Sequence, residues 1–359
     1  MNKENLFPVN KMVDTDGKAI HAHAGGLLYE DGVLYWFGEN KEFTTGKSEI
    51  WTYGIRCYSS TDFINWKNEG LIIPPDIDNP ESSLHPSKAV DRPHILHCKK
   101  SGKYVCWLKI SEKDGYFVVL VANNLLGPYT IVRDHVHPLG AQIGDFDIWQ
   151  DEAGNGYIIF EHDHRGLYSA TLTSDFFDIS EIHEDMFTNL KPPYTREGVT
   201  HFVHGGKHYL LTSGMSGYIP NPSEVAVSDH PLGPYTLLGN PHRNDSSDAS
   251  FNSQISAIIP HPKYPELYIT VGDRWIPELI MTKKKWEKIR RGFRAMEEKK
   301  IFSHLWDVLY MGKMPWHCDK VNTSQALYVW LPMYFEGDKP VIEWYEGWNP
   351  SIDITKIRK

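Results

Sequence analysis

One local pattern recurs five times along this 359-residue chain. It consists of an apolar strand, a turn carrying Gly or Pro, and a second strand rich in aromatic and β-branched residues, which together read as a β-hairpin. Leu27-Leu28-Tyr29 turns at Gly32 into Leu34-Tyr35-Trp36-Phe37, and Ile95-Leu96-His97 turns at Gly102 into Tyr104-Val105-Cys106-Trp107. Ile148-Trp149 leads through Gly156 to Tyr157-Ile158-Ile159-Phe160, and His201-Phe202-Val203 through Gly206 to Tyr209-Leu210-Leu211. The fifth copy runs from Ala257-Ile258-Ile259 through Pro265 to Leu267-Tyr268-Ile269. The turns fall roughly 50–70 residues apart, the span of a four-stranded propeller blade.

Each hairpin is followed by more strand-like sequence. Two copies share a literal signature: Leu126-Gly127-Pro128-Tyr129-Thr130 returns as Leu232-Gly233-Pro234-Tyr235-Thr236. The fifth copy is completed by Tyr328-Val329-Trp330-Leu331 and Val341-Ile342-Glu343-Trp344. The repeats occupy nearly the whole chain and predict an all-β fold, a five-bladed β-propeller forming one domain over residues 1–359. A parallel α/β fold needs helices between its strands, and the sequence provides almost none. The exception is Pro277–Met311, where Trp286, Ile289, Phe293 and Met296 recur at helical steps beside Lys283, Lys284, Lys285, Lys288, Arg290, Arg291 and Arg294. This stretch reads as one inserted amphipathic helix with a solvated basic face.

Composition narrows the function. The formal net charge is −9, so no global basic field exists to hold a nucleic-acid backbone. No window approaches a membrane span, and Met1-Asn2-Lys3-Glu4-Asn5 opens no apolar leader, so no membrane partner and a cytoplasmic location are expected. Four cysteines (Cys57, Cys98, Cys106, Cys318) without Cys-x-x-Cys spacing exclude a disulfide scaffold or zinc finger. His21 and His23 have metal-like spacing but no acidic or thiol partner at ligand distance in sequence. The aromatic content of 13% suits a site that stacks on flat ligands and points to sugars.

If the first strand of each hairpin lines the propeller axis, the residues entering it surround the mouth. Counting back about nine to eleven residues from each turn reaches His23, Asp91, Asp145, Glu197 and Gln254. All five are polar. Carboxylates converging on one pocket are what glycosidic cleavage requires, one protonating the leaving oxygen while another group manages water or the anomeric carbon. Asp147 is read as structural, and Trp275, Tyr218, Trp36 and Trp107 as sugar platforms or inter-blade core.

The same segments resemble glycoside hydrolase family 43, in particular its exo-β-1,3-galactanase-like branch. The likeness rests on His21-Ala22-His23-Ala24-Gly25-Gly26, Trp36-Phe37-Gly38-Glu39-Asn40-Lys41, Asp91-Arg92-Pro93, Arg196-Glu197, Phe251-Asn252-Ser253-Gln254, Gly272-Asp273-Arg274-Trp275 and Tyr328-Val329-Trp330-Leu331-Pro332. The resemblance implies an inverting enzyme in which Glu197 is the general acid, Asp145 tunes its pKa and orients the sugar, and Gln254 holds the attacking water. Asp91, His23, Glu39, Tyr218, Asp273 and Trp275 are the candidate substrate-binding residues. The implied substrate is an oligosaccharide, with galactose released from β-1,3-linked galactan. No cofactor is required, although a calcium ion on the axis is compatible with the family and no ligand set in the sequence identifies one. Three departures stand out: Asp91 where the branch has Glu, Gly144 where an Arg precedes the modulating Asp, and Gly198-Val199 in place of Ala-Pro. They leave a β-D-galactofuranosidase, an α-L-arabinofuranosidase or a non-catalytic sugar-binding propeller as alternatives.

Overall fold

Five antiparallel sheets make up the fold; in four of them neighbouring strands follow one another in sequence, and the fifth also takes in a strand from near the N-terminus. The computed structural model describes residues 5–6, 9–188, 190–191, 193–316 and 320–351; Cys318 lies outside them. Blade I holds His23–Glu30, Val33–Glu39, Ile55–Ser60 and Lys67–Ile73. Blade II holds Val90–Cys98, Lys103–Ile110, Tyr116–Ala122 and Thr130–Val136. Blade III holds Ile143–Gln150, Gly156–His162, Gly166–Leu172 and Ile179–Met186, and blade IV Arg196–His204, Lys207–Gly214, Glu224–Ser228 and Thr236–Gly239. The first strands of successive blades pack side by side, and that of blade V, Gln254–His261, returns to that of blade I. The ring is closed, and the fold is the five-bladed propeller that the repeats predict.

Closure uses both ends of the chain. In blade V, Gln254–His261 pairs with Tyr264–Arg274 and this with Leu327–Glu336. The outer edge of Leu327–Glu336 is then shared: Lys339–Ile342 covers one half, and the N-terminal Val9–Asn10 covers the other through Val9–Val329 and Asn10–Tyr328. The repeat pattern places Val341–Trp344 alone on that edge. A two-residue strand is too short to carry a period of two, so its pairing was not readable from sequence. The fifth turn also shifts, falling before Tyr264 rather than at Pro265.

Aromatic and β-branched residues fill the seams between blades, removing apolar surface from water and stacking sheet on sheet. At the seam of blades V and I, Trp36, Trp66 and Trp330 meet edge to face with centroids 5.0–5.6 Å apart. Trp36 and Trp107 are fully buried; both belong to this inter-blade core and are not sugar platforms. The repeated Leu-Gly-Pro-Tyr-Thr signature enters the outer strands of blades II and IV, where the Tyr129 and Tyr235 hydroxyls donate to the Leu125 and Pro231 carbonyls.

Each first strand runs from mouth to base and each second strand returns. The hairpins therefore lie at the base, while the connections after the second strands, longer than those hairpins in blades I, II, IV and V, rim the mouth. Blade V carries the longest, between Arg274 and Leu327. It contains α1 (Lys283–Glu297), a 3-10 turn at Ile301–His304 and α2 (Leu305–Gly312), two helices in place of the single one expected from the periodicity. The physical reason is local. No apolar residue follows Met296 in Glu297-Glu298-Lys299-Lys300 to hold a further turn, and Lys299 takes a left-handed conformation (φ 57°). The Lys300 amide then donates back to the Ala295 carbonyl at 2.8 Å, which terminates the helix. Trp286 and Ile289 are buried with Ile219, Met281 and Met311, and Arg291 pairs with Asp307 of α2. Phe302 and Trp306 stay 95% and 83% exposed. Among the described residues no helix is long and apolar enough to cross a membrane.

Candidate active site

The mouth is shaped by a defect repeated in every blade. Near its entry each first strand slips register against the second: between His23 and Gly26, Asp91 and His94, Ile143 and Phe146, Glu197 and Thr200, and Ile255 and Ala257. A bulge of this kind adds an unpaired residue and re-aims the side chains beside it. In three blades it is marked by a left-handed residue, Ala24 (φ 43°), Arg92 (φ 49°) or Gly198 (φ 61°). Above the bulges lies a pocket of about 290 Å³ that gathers Asp91, Asp145, Glu197 and Gln254 from blades II to V. Glu39, Tyr218 and Trp275 line it as well.

The remaining two candidates sit elsewhere. His23 is buried with Nδ1 2.8 Å from Asp273 Oδ1 and Nε2 3.2 Å from the Tyr328 hydroxyl. The other Asp273 oxygen accepts the Ala24 amide. Blade I thus presents Ala24 and Glu39 to the pocket, while His23 and Asp273 brace the wall behind them. Sequence reasoning missed Lys109, Ser111 and Trp51, which line the pocket, and gave Arg92 only a pairing role. Lys109 stands opposite Asp91 near the end of the second strand of blade II, and Ser111 follows that strand. The signal was available in principle, because second strands end at the mouth just as first strands begin there.

Four carboxyl groups line this pocket, and three are locked by donors. Glu39 accepts the Arg92 amide at 2.9 Å and pairs with Lys41 at 2.8 Å. Asp91 accepts the Trp51 indole N–H at 2.6 Å and the Ser111 hydroxyl at 2.5 Å. Asp145 holds Lys109 at 2.6 Å, Arg92 Nε at 2.8 Å and the Gly198 amide at 2.9 Å. Glu197 has no protein hydrogen-bond donor among the described residues.

The electrostatics follow from these partners. Burial alone raises a carboxyl pKa; at Asp145 the Arg92 and Lys109 charges outweigh it and hold the group well below the usual carboxylate range. At Glu197 burial acts first and the adjacent Asp145 charge second, and together they exceed the pull of Lys109 and Arg92, lifting its pKa to about 8. Glu39 is lifted to about 7, by burial and then by Asp91, against Lys41. Arg92 and Lys109 are buried, which favours their neutral forms, but the surrounding carboxylates prevail and keep both charged.

Gln254 is fixed from two sides. Its Nε2 donates to Ser213 Oγ at 2.9 Å and its Oε1 accepts the Trp275 indole N–H at 3.4 Å. A Cβ on Gly198 would sit 2.7 Å from Ser213 Oγ and 3.0 Å from Gln254 Nε2, so a residue with no side chain lets this amide lie against Glu197's own strand. The other departure, Gly144, has a different cause. A Cβ there would meet Glu161 Oε2 at 1.8 Å, so a buried acid fills the room that a longer residue would take. Glu161 has no hydrogen-bond donor among the described residues, and His164 Nδ1 stands 3.5 Å from it.

A closed ring with one unlocked acid beside an ionised aspartate at its mouth defines the class, a propeller built around a carboxylate-lined pocket. Residues 28–254 match the model of glycosyl hydrolases family 43, and the chain belongs to that family. Over 211 residues it is 24% identical to the arabinoxylan arabinofuranohydrolase of Paenibacillus polymyxa, a match covering 52% of this chain and 33% of that protein. In three dimensions it resembles a family 43 β-1,3-galactosidase, with TM-score 0.76 and 24% identity over 96% of this chain and 63% of that one. It also resembles the exo-β-1,3-galactanase of Phanerochaete chrysosporium in complex with β-1,3-galactotriose, with TM-score 0.75 and 21% identity over 98% of this chain and 69% of that one. The chain spans about a third of the length of its curated relative and less than two thirds of the galactosidase.

Among the described residues no three His, Cys, Asp or Glu side chains gather as a metal site.

Proposed function

We propose that this chain is an inverting, exo-acting glycoside hydrolase that releases terminal galactose from β-1,3-linked galactan oligosaccharides. The observation that carries this reading is the contrast within one pocket between Asp145, locked and ionised, and Glu197, unlocked and protonated at neutral pH. Hydrolysis of a glycosidic bond needs an acid that still holds its proton near pH 7 and gives it to the leaving oxygen. Glu197 meets that need because burial and Asp145 make its ionised form costly. As the bond breaks, positive charge develops on the sugar ring, and the ionised Asp145 carboxylate, which lines the same pocket, stabilises it.

Gln254 is assigned to the water. Its amide, anchored by Ser213 and Trp275, orients the attacking water; an amide is far too weak a base to take the proton, which passes to solvent water as the new C–O bond forms. Trp275 and Tyr218 are tilted against each other with centroids 4.8 Å apart and offer an aromatic wall to the sugar. The galactose and β-1,3 assignments rest on structural neighbours of this architecture that are named as a β-1,3-galactosidase and an exo-β-1,3-galactanase.

The test is sugar release from β-1,3-galactooligosaccharides and from aryl galactopyranoside, galactofuranoside and arabinofuranoside, with wild type beside Glu197→Gln. Release of α-galactose from the β-1,3-linked substrates, lost in Glu197→Gln, supports the proposal. Preference for either furanoside overturns the substrate, β-galactose as first product overturns inversion, and sugar binding without turnover overturns the enzyme.

A further inference from the structure

One buried acid plays no part in the proposed reaction. Glu161, next to last in the second strand of blade III, is fully buried, and neither of its oxygens meets a hydrogen-bond donor among the described residues. A buried carboxyl without donors lowers stability, and such costs in a native structure concentrate at functional sites. The two neighbours of Glu161 pair with Ile143 and Phe146, so it faces the bulge that carries Gly144 and Asp145. Its carboxyl lies so close to Gly144 that a Cβ there would meet Oε2 at 1.8 Å. In the turn that follows, Asp163 and His164 are both left-handed (φ 48° and 55°), and His164 comes back over the acid, with Nδ1 3.5 Å from Oε2. The Thr195 hydroxyl donates to the His164 carbonyl at 3.2 Å, which ties this turn to the segment entering the strand of Glu197.

We propose that Glu161 is a positioning residue for the general acid, acting on Glu197 from behind the pocket wall through its charge and through its close seat against Gly144. The proposal rests on the catalytic reading of the pocket. The charged groups gathered around the two acids come from three blades and the turn: Asp145 from the first strand of blade III, Lys109 and Arg92 from blade II, Glu197 from blade IV, and His164. The two strong cations are engaged by Asp145, which holds Lys109 at 2.6 Å and Arg92 at 2.8 Å. Glu161 has neither, so less of its charge is compensated. It opposes ionisation of Glu197 in the same sense as Asp145 and more weakly. It also draws the His164 imidazole toward its protonated form, raising that group above its ordinary range.

The experiment records the pH profile of kcat/KM on β-1,3-galactooligosaccharides, and Tm, for wild type, Glu161→Gln and Glu161→Leu. The expected result pairs two changes. The alkaline limb moves to lower pH by several tenths of a unit, less than in Asp145→Asn, while Glu161→Leu raises Tm by a few degrees because an unsatisfied group is gone. A limb that stays at its wild-type position in both variants overturns the proposal. A Tm below wild type in Glu161→Leu, failure to fold included, overturns it as well, since a purely structural acid would stabilise the chain. If wild type turns over no substrate, the proposed reaction has failed, and the titration of Glu197 decides the positioning separately. It is read as the pH at which the wild-type Tm falls behind that of Glu197→Gln. A lower value when both proteins also carry Glu161→Gln sustains the proposal, and an unchanged value overturns it.

Discussion

Asp145 and Asp147 stand two residues apart on the same strand and serve different regions of the axis. Asp145 lines the mouth, holding Lys109, Arg92 and the Gly198 amide. Asp147 lies below, in a cavity of about 140 Å³, where it pairs with His94 at 3.0 Å and accepts the His201 amide at 2.7 Å. Strict alternation would place both on one face of the strand; the bulge between Ile143 and Phe146 separates them. In the lower region Asp147 is tied to His94 and to the His201 amide, and His201 is stacked on Trp149 with centroids 3.8 Å apart. In the mouth one acid, Glu197, is left without a donor beside a locked aspartate. The comparison teaches that reactivity here comes from an acid without a donor held next to an aspartate that has several.

The largest break in that contrast is Glu197→Gln. Loss of a general acid lowers kcat by about 10²–10⁴-fold, measurable on β-1,3-linked oligosaccharides, whose sugar leaving group needs the proton, and less on aryl glycosides with good leaving groups. The same variant has a stability signature. Because the folded pKa of Glu197 is raised to about 8, the stability linked to its protonated form is complete below the ordinary carboxylate range and is lost as pH rises through that value. Glutamine does not titrate, so the variant's Tm gains on wild type between pH 5 and pH 9. A constant difference across that range would contradict the raised pKa.

Asp145→Asn comes next. It removes the charge that discourages Glu197 from ionising, so the alkaline limb of the kcat/KM profile, near pH 8 in wild type, moves to lower pH. It also leaves two buried cations without their principal partner, which costs about 3–5 kcal/mol in unfolding measurements. Asp147→Asn sharpens the comparison by changing stability without the pH profile. A loss of about 1–3 kcal/mol is expected from disturbed hydrogen bonds, with the alkaline limb where wild type has it. The smallest effect is that of Gly198→Ala, about 1–2 kcal/mol for a side chain at positive φ. It also lowers kcat through displacement of Gln254, and a variant with wild-type kcat would show that Gln254 tolerates the shift.

Much of this was legible in one dimension because a propeller repeats its local chemistry. The hairpin spacing, the Leu-Gly-Pro-Tyr-Thr signature and the polar residues entering each first strand are all patterns of sequence neighbours, and they led to Asp91, Asp145, Glu197 and Gln254 lining one pocket. Lys109 and Trp51 were not legible in the same way. Each reaches the pocket from a second strand or its following loop, and their roles depend on which blade stands beside which. The same holds for Val9–Asn10, whose pairing with Tyr328 and Val329 spans nearly the entire chain.

What the amino-acid sequence determined by itself was the architecture and the ring of candidates, since strand period, turn chemistry and repeat length act between residues close in the chain. What only the tertiary structure decided was the chemical state of those candidates. Whether a carboxyl group is locked or free, raised or lowered, depends on burial and on charges brought from other blades, and no local pattern encodes either. The repeated bulge joins the two levels: it is a one-residue feature of each strand whose consequence, turning Asp145 to the mouth and Asp147 to the channel, exists only once the five blades have closed.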